Sequence, residues 1–387
     1  QAQDSFGAGL RDSSKAKSLL TITMAGLSNK FNLGFLKSIA QKDDYVAFDI
    51  GSSSVKMVEA AVDKSGCQLL NVGIAPLPQG AVQNNMVVEP GWVAAAIRKL
   101  VQDNGVRSSK VISAVPGRAV IIKKIQMPRQ DNDELEANVE FEANKLIPEN
   151  LENVNIDYQV LGYLEGGNKM EVLLVAVKKE IVNSFTDVIE AAGLAPAIID
   201  VDYFAMESMY ETNYEPQASG EVVGLIHIGA RYTSINVLSN GISTFTGDLP
   251  VGGEEFTDTL RRTMQISGED AETLKLTGLL QGKNGSDGEA LLRPATESLA
   301  EDVQRTLSLY GAIASEEGIR NIYLTGGGAK LSGLTSVMRE RLGVPVELAD
   351  PFRNFRVNKS IDRGSLAELA PLLGVAVGLA IRRIGDK

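Results

Sequence analysis

Twice in this chain an apolar run ends on a glycine and resumes after a short polar turn, and this duplication constrains the fold more than any other feature. At 46–50 the run closes on Asp49-Ile50-Gly51, passes Ser52-Ser53-Ser54 and continues as a second apolar run at 55–62. At 222–228 it closes on His227-Ile228-Gly229, passes Ala230-Arg231-Tyr232 and continues at 233–238, followed by an Asn240-Gly241 turn and a third run at 242–248. Apolar runs of this length bounded by Gly, Ser and Asn read as strands, and Asn-Gly as a tight hairpin. Laying Ile50-Gly51 on Ile228-Gly229 superposes strand, turn and strand, so the pattern predicts a duplicated α/β domain.

A chain of 387 residues is too long for one ordinary core, which fits two lobes of comparable size. With Lys+Arg at 38 against Asp+Glu at 49, the net charge of -11 argues against a general binder of nucleic-acid backbone. The single cysteine, Cys67, excludes an intramolecular disulfide or a Cys-based metal cluster and fits a reducing cytoplasm. Cys67 follows Gly66 in a hairpin turn and is assigned no role. No Arg/Lys-led apolar segment with a cleavage site opens the sequence, so no standard signal peptide is expected. The apolar stretch 370–381 carries two glycines and a proline and is too short to span a bilayer.

Along the chain, 1–41 reads as a flexible leader whose Leu27, Phe31, Phe35 and Ile39 recur as in a short amphipathic helix, packed on the body or on a membrane or partner. Residues 42–117 and 179–220 are expected to form a first lobe, with Trp92 in its core or at a helix cap. Between them, 118–178 reads as an inserted β-helix-β-β subdomain: a strand at 120–125, an acidic helix at 131–146, and two strands flanking Glu165-Gly166-Gly167-Asn168. Its apolar residues Val139, Leu146 and Ile147 are the first place to look for a partner groove. A second lobe is expected from 221–260 and 318–387, with 261–317 as its helical insertion.

In the first turn, backbone N–H groups from Gly51 through Ser54 converge, Gly51 permits close approach, and the hydroxyls of Ser52, Ser53 and Ser54 add donors for phosphate oxygens. Lys56 can reach a phosphate as a point charge, and Asp49 can hold the hydration shell of Mg2+. The second turn adds Gly229 and the hydroxyl of Thr233, and two such hairpins facing each other would clamp phosphates from both sides. After the strand at 321–324, Gly326-Gly327-Gly328 with Lys330 lets backbone pass against adenosine. Gly252-Gly253-Glu254, just before a helix, offers a further backbone approach and an acid for a ribose. A kinase would need a base, and Asp200 or Asp202 is the best candidate, each also explicable as a strand-end or capping acid.

These motifs occur in the order of the phosphate, connecting and adenosine motifs of the actin and Hsp70 superfamily, and the inserted block resembles that of the cell-division protein FtsA. The chain is similar over about 42–387 to the PilM family of type IV pilus assembly proteins, chiefly at 48–56, at 140–148 and at 324–329. The resemblance implies ATP with Mg2+ in an interdomain cleft. It further implies a cytoplasmic scaffold peripheral to the inner membrane that binds the N-terminal cytoplasmic peptide of a PilN-type protein, and links it to pilus motor ATPases and a platform protein. One departure stands out: two residues before Gly229, where the family has an acid, this chain has His227, its only histidine. A neutral imidazole cannot replace that charge, so slow or absent hydrolysis is expected. The alternatives are an FtsA-like division tether and a small-molecule kinase of the same superfamily.

Overall fold

The computed structural model describes residues 44–130, 132–214, 221–279, 286–313 and 318–383. The leader 1–41 and its amphipathic stripe lie outside them.

The first lobe opens with an antiparallel meander, β1 (Tyr45–Ile50), β2 (Ser54–Asp63) and β3 (Gly66–Pro76). A small hairpin, β4 (Val82–Gln83) and β5 (Met86–Val87), turns on Asn84 and Asn85, whose φ of 49° and 68° are the left-handed values that Asn tolerates in such turns. Helix α1 (Pro90–Asp103) starts on the proline and buries Val93, Ala96, Ile97 and Leu100, and β6 (Lys110–Val115) then returns parallel to β1. Trp92 is 61% exposed, which corrects the expectation of core or cap packing: it sits one residue, and so about 100° of helix, away from the buried Val93.

The inserted unit comprises β7 (Val120–Pro128), α2 (Asn132–Leu146), β8 (Val154–Leu164) and β9 (Lys169–Lys178), with β9 in the middle of its sheet. Alternation along β9 explains its uninterrupted apolar run. Val172, Leu174 and Ala176 face Leu135, Val139 and Ala143 of α2, while Leu173, Val175 and Val177 join the core of the first lobe. Val139 and Ile147 are therefore internal to the insert and form no open groove, whereas Phe141 and Leu146 are exposed.

Helix α3 (Lys179–Ala191) ends at Gly193 (φ +86°), and β10 (Ala195–Val201) pairs parallel with β6 before α4 (Asp202–Asn213). The second lobe repeats the plan with β11 (Val222–Ile228), β12 (Thr233–Ser239) and β13 (Ile242–Leu249). Helices α5 (Gly253–Met264), α6 (Gly268–Thr277) and α7 (Ser286–Ile313) follow, then β14 (Asn321–Thr325), α8 (Leu334–Leu342) and β15 (Val346–Leu348). The sheets run β3-β2-β1-β6-β10 and β13-β12-β11-β14-β15, with the same sequence of antiparallel and parallel pairings. That identity of order is the duplication seen at the two glycine turns.

The chain then leaves the second lobe. Strand β16 (Phe355–Val357) adds to the first sheet beside β3, and after α9 (Arg363–Leu369) helix α10 (Gly374–Ala380) packs on α4 and β1. The assignment of all of 318–387 to the second lobe is corrected accordingly: Leu373, Ala376, Val377 and Leu379 are fully buried in the core of the first. Contact between α10 and α4 depends on Gly378, where a Cβ would fall 1.7 Å from the Ala205 carbonyl oxygen. The span Arg363–Ala380 is long and apolar enough to cross a membrane by composition, yet its helices are broken and more than half buried in this core.

Candidate nucleotide cleft

Each glycine turn is closed the same way. Gly51 N donates to Ser54 O at 3.1 Å, and Gly229 N donates to Tyr232 O at 2.9 Å. In the first, the register pairs Asp49 with Lys56, which sets the lysine Nζ 3.1 Å from the carboxylate. A Cβ on Gly51 would lie 2.8 Å from that Nζ, so the glycine leaves the lysine its path. In the second, the corresponding register pair is His227 with Ser234. The charged pair of the first lobe is thus replaced by a neutral one.

Burial pushes the His227 imidazole down to about 4, with Lys56 acting in the same direction and Asp49 against it. Its Nδ1 is enclosed without a hydrogen-bond partner. The ring is neutral at physiological pH.

The start of α5 is built onto the second turn. Gly253 N donates to Gly229 O and Glu254 N to Ala230 O, both at 2.8 Å, and a Cβ on Gly252 would sit 2.5 Å from Ala230 O. Gly252 is therefore needed for packing against that turn and does not line the cleft. Thr233 is corrected too: its hydroxyl donates to Val251 O at 2.8 Å, and the residue is fully buried and does not line either chamber.

The three glycines after β14 are not equivalent. Gly326 has φ +89° and would bring a Cβ within 2.4 Å of Ile228 O; Gly328 would bring one within 2.3 Å of Ile228 Cγ2. Both let the turn press on β11. Gly327 meets nothing closer than Leu372 at 3.9 Å, so it alone of the three has room for a side chain, and with Gly328 it lines the cleft. The turn is also tied to the C-terminal segment, since Gly326 N and the Thr325 hydroxyl both donate to Pro371 O.

Between the lobes lie two adjoining chambers. The larger, of about 410 Å³, brings together Ser52, Ser53, Ser54, Lys56, Gly229, Gly253, Glu254, Gly327, Gly328 and Lys330. The smaller, of about 120 Å³, holds Asp49, Gly51, Arg118, Asp202, His227 and Tyr232. Ser52, Ser53, Lys56, His227, Gly229 and Ala230 line both and so form the boundary. Lys330 sits at the rim with its Nζ on Glu368 O.

Lys275, in the wall of the larger chamber, was not singled out from the sequence. Lys275 of α6 is 5% exposed, with its Nζ 3.2 Å from Gly253 O, 2.9 Å from Thr257 Oγ1 and 2.6 Å from Glu272 Oε2. A Lys and a Glu three apart on one helix face was the available signal. Of the two candidate bases, Asp200 is buried in an ion pair with Arg382 at 2.7 Å, whereas Asp202 faces the smaller chamber with its Oδ1 accepting from Gly117 N at 2.8 Å. Burial, with the charges of Asp248 and Asp49, pushes the Asp202 carboxyl up to about 7. Among the described residues no group of three His, Cys, Asp or Glu side chains could hold a metal by itself.

Two duplicated lobes with matching strand order, and a cleft floored by the paired turns, define an actin-like ATPase fold. The family model for type IV pilus assembly protein PilM matches residues 47–384, and the chain belongs to that family. A solved PilM-PilN type IV pilus biogenesis complex superposes with a TM-score of 0.77 at 29% identity, covering 88% of this chain and 98% of that one. Cell division protein FtsA of Bacillus subtilis (strain 168) is 23% identical over 353 residues, covering 79% of this chain and 78% of FtsA. Ethanolamine utilization protein EutJ from Carboxydothermus hydrogenoformans shares the fold, with a TM-score of 0.54 at 18% identity and 87% of this chain covered.

Proposed function

We propose that this chain is an ATP-binding, non-motor scaffold of a type IV pilus assembly complex on the cytoplasmic face of the inner membrane. On this reading it holds the cytoplasmic N-terminal peptide of a PilN-type protein through the lobe carrying the insert. Motor ATPases and a platform protein are further partners of the same assembly. The observation that carries the nucleotide reading is the convergence of both glycine turns, Gly327 and Lys275 on one cleft of about 410 Å³. The kinship with a PilM-PilN complex supports the peptide partner.

The donor set suits a nucleoside triphosphate. The amides and hydroxyls at Ser52 and Ser53, with Lys56, face the phosphates, and Gly327 leaves a flat surface for adenosine. Glu254 is the acid offered to a ribose. Asp49 would be the residue to hold the hydration shell of a nucleotide-bound Mg2+, which would supply charge at the phosphates. Hydrolysis is slow, because neutral His227 supplies no charge to order metal or water at the second turn.

Closure of the lobes on ATP then biases the peptide site, which requires that ATP bind the closed state more tightly than the open one. Titrating the purified protein with Mg-ATP, and then with a PilN-type N-terminal peptide in the presence and absence of nucleotide, tests the reading. One-to-one ATP binding with an altered peptide affinity is expected. Absence of ATP binding, or of PilN-type peptide binding, would overturn it.

A further inference from the structure

Arg118 lies at the root of the insert, two residues before β7 begins, yet its guanidinium stacks 3.1 Å from the centroid of the Tyr232 ring in the turn of the opposite lobe. Its backbone has little freedom. Gly117 N is held by Asp202, and a Cβ on Gly117 would lie 2.1 Å from the Tyr203 ring. The side chain therefore spans the cleft from a fixed base, lining the smaller chamber beside Gly51, Gly229 and Ala230.

On the ATP reading, a nucleotide in the larger chamber would present its terminal phosphate to the boundary formed by Ser52, Ser53, Lys56 and Gly229, and ADP would end one phosphate short of it. Beyond that boundary, Arg118 offers a planar fork of N–H donors matched to phosphate oxygens, with one face already stacked on an aromatic ring. Asp49 and Asp202 face the same space, but Asp49 is paired with Lys56 and burial favours the neutral form of Asp202. We propose that Arg118 reads the γ-phosphate and, through its position at the start of β7, transmits ATP occupancy to the inserted subdomain. This rests on the ATP reading above.

The test measures ATP and ADP affinities, and amide hydrogen exchange across 120–178 with each nucleotide, for the parent, Arg118→Ala, Arg118→Lys, Tyr232→Phe and Tyr232→Ala. In the parent ATP, and not ADP, slows exchange in the insert. Arg118→Ala lowers the ATP-to-ADP affinity ratio about tenfold, the loss of a charge-assisted hydrogen bond, and abolishes the ATP-specific protection. Arg118→Lys keeps part of the ratio and loses the protection, Tyr232→Phe behaves as the parent, and Tyr232→Ala follows Arg118→Ala. If the parent binds ATP and both Arg118 variants keep its ratio and its protection pattern, the assignment of Arg118 is wrong. If the parent binds no ATP, the nucleotide reading itself falls, and this inference with it.

Discussion

Lys56 Nζ lies 3.1 Å from Asp49 Oδ2 across a register pair of β1 and β2, placing a buried cation at the boundary of the two chambers. An ammonium has three N–H donors, so the lysine can hold a phosphate oxygen while it remains paired with that carboxylate. Lys56→Ala is expected to weaken Mg-ATP binding tenfold or more, on the scale of about 1.5–3 kcal/mol for a hydrogen bond to a charged group. Calorimetric titration checks this, and parental affinity would remove Lys56 from the site.

Two cleft residues give stability opposite pH dependences. Asp202, whose pKa rises from 3.8 to about 7 on folding, binds its proton more tightly in the native state. Its contribution is present below pH 4 and lost as pH rises through about 7. His227, lowered from 6.5 to about 4, contributes above pH 6.5 and loses that contribution as pH falls through about 4. Thermal midpoints between pH 4 and 8 should therefore fall less steeply towards high pH in Asp202→Asn, and less steeply towards low pH in His227→Gln. Parallel curves for parent and variants would refute both shifts.

The strand-glycine-strand repeat was legible because period and turn chemistry are local: β1, β2, β11 and β12 lie within a residue of the expected runs. The roles within the motifs were less legible. In the sequence Thr233 suits a phosphate donor because it carries a hydroxyl, and only the fold shows Val251 O claiming it. Gly326 and Gly328 are indistinguishable from Gly327 in the sequence, although their need for glycine is set by Ile228, far away in sequence. Lys275 was hidden in a helix whose approach to Gly253 is a tertiary contact. The return of β16 and α10 to the first lobe likewise depends on pairing that no local pattern carries.

The Asp200–Arg382 pair joins the end of the first sheet to the chain just past α10, with side chains 0% and 6% exposed. Arg382→Ala would remove the cation beside a buried carboxylate and destabilise the fold by about 3–5 kcal/mol. Adding Asp200→Asn should recover part of that. Urea unfolding of the single and double variants measures both effects, and a loss within about 0.5 kcal/mol for Arg382→Ala would show the pair to be unimportant.

At the crossing of α10 and α4, Gly378→Ala drives a methyl onto the Ala205 carbonyl. The helices must separate, at an expected cost of about 1–3 kcal/mol or more, read as a lower denaturation midpoint. Gly343→Ala, at a surface helix end with φ +69° and open space around it, should cost less. Equal losses would show that close packing of α10 on α4 does not matter to stability.

Gly327 gives the sharpest test of the cleft as a nucleotide site. Its side-chain direction opens towards the larger chamber, with nothing nearer than Leu372 at 3.9 Å, so Gly327→Asp should fold with a near-parental thermal midpoint while placing a carboxylate where adenosine would lie. Fluorescent-ATP titration of that variant is expected to show binding reduced at least tenfold. A folded Gly327→Asp protein that binds ATP as tightly as the parent would contradict the placement of nucleotide between the two turns and the third glycine turn.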